Sequence, residues 1–204
     1  GIAGEIIQRI DAYGGVVRAE LLLTEIPELF NVSEGSVRAY LASDAFVVHD
    51  GLVRRADADE FSPTDVRTVK DAILIDGNWG HKLRLYQRHF DGYSLGISFD
   101  IAYANGVRPD DALKVPIVKS PYEASVIWRL QTLNKTVDVG RVAEFLRSSD
   151  FQPDDEVVVI ATPQFVDIRP ASDLSVHVNR KDLTNEASSS PINDPLLDML
   201  GGDS

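Results

Sequence analysis

The chain contains no cysteine among its 204 residues. Disulfide bridges and cysteine zinc sites are therefore excluded. No apolar run approaches the roughly 20 residues that a membrane-spanning helix requires, and the first residues carry no signal-peptide pattern. These absences fit the reducing cytoplasm, where we expect the protein to act, and they predict no contact with a membrane.

Motifs of catalysis and of cofactor binding are also missing. The sequence has no nucleophile elbow, no Walker phosphate loop and no glycine-rich dinucleotide fingerprint. Metal-ligand spacing is absent from the four histidines, His49, His81, His89 and His177. The acidic runs near residues 110 and 154 are better explained as turns than as metal ligands. We therefore expect no enzymatic activity, no metal site and no cofactor.

Positive charge is scarce. The sequence has 20 Lys and Arg against 32 Asp and Glu, a net charge of −12. This balance argues against an indiscriminate nucleic-acid binder. The acidity is uneven, because residues 1–60 carry −6 and residues 171–204 carry −4, whereas residues 61–170 carry only −2.

One segment, residues 77–90, is basic. It holds three basic residues, no acidic residue, two histidines and three aromatic residues. Lys82, Arg84 and Arg88 lie at even spacing, so on a strand they would project to one face and the leucines between them to the other. The pattern predicts a half-buried strand that could follow a phosphate backbone. An ordinary charged outer face explains it equally well.

The first 60 residues have the pattern of three helices followed by a hairpin. Apolar residues recur at helical spacing over 5–13 and 21–31, and residues 16–18 between them are typical of a short strand. Ser33 can accept hydrogen bonds from the free N–H groups that open a helix. Asp50-Gly51 between two apolar runs is a strong hairpin signal.

This block resembles winged helix-turn-helix domains of the HARE type and, more loosely, region 4 of sigma factors. Residues 29–41 and 46–55 carry the resemblance, which implies a helix that enters the major groove of duplex DNA. Gly35 departs from it, because glycine inside a helix costs about 1 kcal/mol relative to alanine. The candidate DNA contacts are Ser33, Glu34, Ser36 and Arg38 on the helix and Arg54 and Arg55, as phosphate contacts, at the base of the wing. The alternative is a winged helix used only for protein contacts or packing.

Between residues 80 and 170, apolar residues alternate with polar ones or occur in short blocks, and this pattern predicts a β-rich domain. Within it, residues 107–115 match residues 151–159 at an offset of 44, and each copy contains Pro-Asp-Asp. Proline fixes φ and aspartate bonds back to its own backbone, so this tripeptide makes a reliable bend into a strand. Each repeat is predicted to contain a strand, a short helix, this turn and two further strands.

The repeat resembles the AbrB-type swapped-hairpin module and the related half of a double-psi barrel, in which a Pro-Gly-Asp turn follows a short helix. Here aspartate replaces the glycine in both copies. The resemblance implies that the two copies close one pseudo-two-fold barrel.

The last residues are polar and acidic, and residues 187–191 are of low complexity, as in disordered segments. Residues 193–200 could form a short helix with an apolar face. Its candidate partner-binding residues are Leu196, Leu197 and Leu200, which could dock on this chain or on another protein.

The sequence thus predicts an α+β protein in four parts. These are a winged helix (1–60), a linker with a short helix at 64–72 (61–76), a β-barrel of two similar strand-helix-strand-strand halves (77–170) and a largely disordered tail (171–204). The leading hypothesis is non-catalytic binding of duplex DNA, with the barrel adding backbone contacts or forming a homodimer. The alternative is a protein-interaction module of a larger nucleic-acid-associated assembly.

Overall fold

The structure is a computed structural model that describes residues 1–174. The predicted docking residues Leu196, Leu197 and Leu200 lie outside this range. Residues Gly1–Ser172 form one compact unit. Within residues 1–174 every helix is too short or too polar to cross a bilayer.

The first part, which we call the helical part, comprises three helices and a small antiparallel sheet with the order β1-β3-β2. Buried side chains from all three helices and from the sheet form its core. Its elements are α1 (Ile2–Ala12), β1 (Val16–Arg18), α2 (Ala19–Phe30), α3 (Glu34–Leu41), β2 (Phe46–His49) and β3 (Leu52–Arg55).

Local sequence signals fix where these elements begin and end. The Ser33 hydroxyl accepts a hydrogen bond from the Ser36 N–H at 3.2 Å and caps α3. Asp50 and Gly51 both have positive φ, 49° and 74°, and this turn matches the twist of the two strands that it joins. The predicted cap and hairpin are both present.

The linker holds no α-helix. The helix expected at 64–72 is wrong, because this stretch contains only a single 3₁₀ turn, Val66–Thr68, held by Asp65. Asp71 then adopts a left-handed conformation, with φ 62°, which no right-handed helix can continue. The chain passes directly into a strand, so part of the predicted linker belongs to a sheet.

The rest of the described chain, which we call the β part, contains two four-stranded antiparallel sheets with the orders β11-β10-β5-β4 and β6-β9-β8-β7. The fold is therefore α+β, as predicted. The strands are β4 (Ala72–Ile75), β5 (Asn78–Arg84), β6 (Leu95–Ser98), β7 (Ala112–Pro116), β8 (Glu123–Ile127), β9 (Thr136–Gly140), β10 (Glu156–Ala161) and β11 (Val166–Pro170). Three short helices accompany them, α4 (Gln87–Phe90), α5 (Phe99–Ala104) and α6 (Ala143–Ser148).

Neither of these sheets closes into a barrel within residues 1–174, so the predicted closed barrel requires correction. In the described part of the chain, the two sheets are joined edge to edge by a single parallel bridge between Ile117 and Val166. There the Val118 N–H donates to the Val166 carbonyl at 2.9 Å. The ladder goes no further because the chain reverses at once, in a turn closed by the Ser120 N–H and the Ile117 carbonyl.

The order strand, helix, strand, strand occurs twice in the β part, as β6-α5-β7-β8 and as β9-α6-β10-β11. The Pro-Asp-Asp turns of the two copies have the same geometry. Their middle residues, Asp110 and Asp154, have φ 68° and 75°, a region that aspartate tolerates better than most residues.

The last aspartate of each turn makes the same hydrogen bond. The Asp111 carboxylate accepts from the Arg108 N–H and the Asp155 carboxylate from the Gln152 N–H, both at 2.8 Å. A backbone hydrogen bond between the same residues, in the opposite direction, closes each turn. The sequence repeat is therefore a repeat of backbone geometry as well.

An aromatic cluster ties the linker to the β part. Phe99 stacks on the buried Trp128 with 4.6 Å between ring centroids. Phe61, a linker residue, meets the same indole edge-on at 5.1 Å. Through Phe61, the linker therefore packs against the β part.

Candidate nucleic-acid interface

The four candidate residues at α3 extend from its cap residue, Ser33, to Arg38 in its last turn. The Ser33 and Ser36 hydroxyl oxygens are 3.0 Å apart. The Arg38 Nε donates to a Glu34 carboxylate oxygen at 2.8 Å, one helical turn away, and both side chains are more than half exposed. Such an exposed pair contributes only about 0.3–0.5 kcal/mol. A phosphate or a base could therefore displace Glu34 at little cost.

The two arginines at the base of the hairpin also face carboxylates. Arg54 makes a two-pronged contact with Glu60, at 2.9 and 2.7 Å. These hydrogen bonds raise the pKa of Arg54, and together with one from the Asp57 N–H they lower the pKa of Glu60 to about 2. Arg55 lies 3.7 Å from the Asp11 carboxylate. The positive charge predicted for this surface is thus compensated locally.

The basic segment is only partly a strand. Lys82 and Arg84 lie on β5, but the strand ends at Arg84 and Arg88 lies on α4. The prediction that all three alternate along one strand is therefore wrong for Arg88. After Arg84 the Leu85 N–H still bonds to the Asp155 carbonyl, and the pairing ends at Tyr86, whose N–H bonds to the His89 ring where α4 begins.

The three cations nevertheless line the same concave surface. A groove of about 530 Å³ lies beside the end of β5. We call it the basic groove and define it by five of its lining residues, Lys82, Arg84, Tyr86, Arg88 and Tyr93.

The arginines of the basic groove differ electrostatically from those of the helical part. Lys82 forms an ion pair with Glu156 at 3.2 Å. Within residues 1–174, no carboxylate lies within the 4.0 Å ion-pair distance of Arg84 or Arg88. The groove is also lined by Asp71 and Asp138. Its lining therefore carries three cations and two carboxylates, and Arg84 and Arg88 are the candidate contacts without an ion pair in residues 1–174.

Two histidines line this groove, and each uses one ring nitrogen as a hydrogen-bond acceptor. The Nδ1 atom of His81 accepts the Ser98 N–H at 3.1 Å, and that of His89 accepts the Tyr86 N–H at 3.0 Å. Burial lowers the pKa of both rings, and the Arg88 charge lowers that of His89 further. Both rings therefore favour the neutral form, which an Nδ1 acceptor requires. The structure brings together no group of metal ligands in the part of the chain that it describes.

Sequence reasoning missed Tyr93. Its side chain is 67% exposed, and its N–H donates to the Arg88 carbonyl at 3.0 Å, which holds it beside α4. The signal was present in the sequence, because an aromatic residue directly after Asp91-Gly92 lies in a turn, where no core packing accounts for it.

No family model, no curated protein and no solved structure matches the chain. Its function therefore has to be inferred from its own side chains.

Proposed function

We propose that this is a non-catalytic DNA-binding protein that contacts a duplex with both of its parts. The helical part acts as a winged helix, with α3 directed to the major groove. The basic groove of the β part supplies contacts to the phosphate backbone. The supporting observation is that Arg84 and Arg88 line one groove without a carboxylate within ion-pair distance in residues 1–174.

The charges assign different roles to the two parts. Arg84 and Arg88 can bind a phosphate without first releasing a carboxylate of residues 1–174. Arg38 and Arg54 must exchange Glu34 and Glu60 for DNA, and this exchange weakens binding to an arbitrary sequence. The basic groove thus provides affinity for DNA of any sequence. Helix α3 adds to the affinity only at sequences whose base contacts replace the ion pair of Arg38 with Glu34.

Salt-dependent binding tests this proposal. Anisotropy titrations of a labelled duplex between 50 and 200 mM salt should give a steep logarithmic slope. Replacing both Arg84 and Arg88 by alanine should reduce that slope by about 0.9 for each lost phosphate contact. The matched control replaces Lys114 and Lys119, two exposed lysines that do not line the groove. The control removes the same amount of positive charge but from outside the groove, so it should change the slope less than the groove variant does.

Two outcomes would overturn the proposal. One is a wild-type protein that fails to bind any duplex at 50 mM salt. The other is an equal decrease of the slope in the groove variant and in the lysine control, which would show that binding depends only on the total charge of the protein. A further variant, Arg38→Glu with Arg54→Glu, tests the helical part and should weaken retention of the duplex without abolishing it, while the circular dichroism spectrum stays unchanged.

The compensated arginines favour a second candidate function, a protein-interaction module. Arg38, Arg54 and Arg55 each lie near a carboxylate. On the hairpin sheet, Val16 and Leu52 are each 46% exposed, and exposed apolar side chains of this kind suit a protein partner. If the wild-type protein does not shift DNA at all, this function replaces the first.

A further inference from the structure

The basic groove carries two exposed aromatic rings that the fold does not use as core. Tyr93 is 67% exposed and Tyr86 is 48% exposed, whereas Phe99 and Trp128 are almost fully buried. Contacts to phosphates alone do not require aromatic rings. Grooves that bind single-stranded nucleic acids combine cations for the backbone with aromatic side chains on which bases stack.

The rings and the cations are held together by one short element. The Arg88 guanidinium lies 5.5 Å from the centroid of the Tyr86 ring, and the His89 ring lies 5.7 Å from it. The Tyr93 N–H bonds to the Arg88 carbonyl. Helix α4 therefore sets the backbone positions of Tyr86, Arg88 and Tyr93 relative to one another.

Duplex DNA cannot use these rings in this way, because its base faces are covered by their neighbours in the stack. An unpaired base has both faces free. Of the two carboxylates that line the groove, Asp138 is already engaged by Arg129 at 2.9 Å and by the Ser94 hydroxyl at 3.3 Å.

We propose that the basic groove binds single-stranded nucleic acid, with bases stacked on Tyr86 and Tyr93 and phosphates on Arg84 and Arg88. Stacking is tolerant of sequence because every base has a π-face. The proposal rests on the nucleic-acid binding proposed above and extends it, because the arginines that contact duplex phosphates can also contact an unpaired strand, and only the unpaired strand also offers bases to the rings. It implies that the protein contacts places where a duplex is open.

The test compares three labelled probes of equal length, a deoxythymidine oligonucleotide, an abasic oligonucleotide and a duplex. The abasic probe keeps the phosphates and removes the bases. Tyr86→Ala and Tyr93→Ala should each weaken binding of the thymidine probe by about 5- to 150-fold, the range for one stacked base. They should leave the abasic probe and the duplex nearly unchanged. Tyr86→Phe and Tyr93→Phe keep the ring and should restore binding.

Tyr13→Ala is the matched control, because Tyr13 is 57% exposed and does not line the groove. The inference is overturned if the abasic probe binds as tightly as the thymidine probe, or if both groove variants behave like Tyr13→Ala. If the duplex alone binds, only this inference fails. If no probe binds, the proposed DNA-binding function fails with it. Thermal unfolding of each variant excludes loss of the fold as the cause.

Discussion

The paired Pro-Asp-Asp turns allow the repeat to be tested energetically. Asp111→Ala and Asp155→Ala each remove one 2.8 Å hydrogen bond to a backbone N–H. Both donor residues, Arg108 and Gln152, are exposed, so water can replace the lost acceptor and no buried donor is left unpaired. Each substitution should therefore lower the free energy of unfolding by about 1 kcal/mol, the net value of a typical hydrogen bond.

For a chain of this size, about 1 kcal/mol corresponds to a fall in Tm of about 2–4 °C. The two turns share no hydrogen-bond partner, since the carbonyl of Asp111 binds the Trp128 N–H and that of Asp155 binds the Leu85 N–H. The double variant should therefore lose about the sum of the two effects.

Urea unfolding at pH 7 measures these losses, and Asp111→Asn is the internal control. Asparagine removes the charge but keeps an oxygen acceptor, so most of the stability should remain. Unequal losses at the two turns, or an asparagine variant as unstable as the alanine variant, would refute the view that the same hydrogen bond stabilises both copies.

Three further predictions follow from single side chains. Burial lowers the pKa of His81 below its ordinary value of 6.5, so its contribution to stability is complete above pH 6.5 and is lost as the pH falls through the folded-state pKa; an NMR titration midpoint at or above 6.5 would contradict this. Gly80→Ala should destabilise the fold by about 1–3 kcal/mol, because the new methyl group would collide with a valine of β10. In Gly35→Ala the new methyl group meets nothing closer than 3.6 Å, so this substitution should stabilise α3 by up to about 1 kcal/mol, and the Tm values of the two variants should move in opposite directions. Glu60→Gln should free Arg54 and steepen the salt dependence of duplex binding by up to about 0.9, and titrations in which the slope does not change would show that Arg54 does not reach a phosphate.

The elements of the helical part could be predicted because their signals are local. Ser33 caps the helix that it directly precedes, and Asp50-Gly51 bends the two strands that flank it. The Pro-Asp-Asp turns were predictable for the same reason, since each turn closes within four residues. Short-range geometry of this kind is encoded in consecutive residues.

The electrostatics of the candidate site could not be predicted in the same way. Arg55 is near Asp11, which is 44 residues away in sequence, and Lys82 pairs with Glu156 across two neighbouring strands. Even spacing could not reveal that β5 ends before Arg88, because the same spacing gives no sign of the hydrogen bond from the Tyr86 N–H to the His89 ring with which α4 begins. Sequence patterns identified the cations, but only tertiary structure shows which of them are compensated.

The position of Phe61 and β4 has a practical consequence for dividing the chain. A fragment that begins at residue 77, where the sequence alone suggested a boundary, would lose the ring that covers Trp128. It would also lose β4 and leave β5 as an unprotected sheet edge, which is a template for aggregation. A fragment that begins before Phe61 keeps both, so any separate expression of the β part should start upstream of that residue.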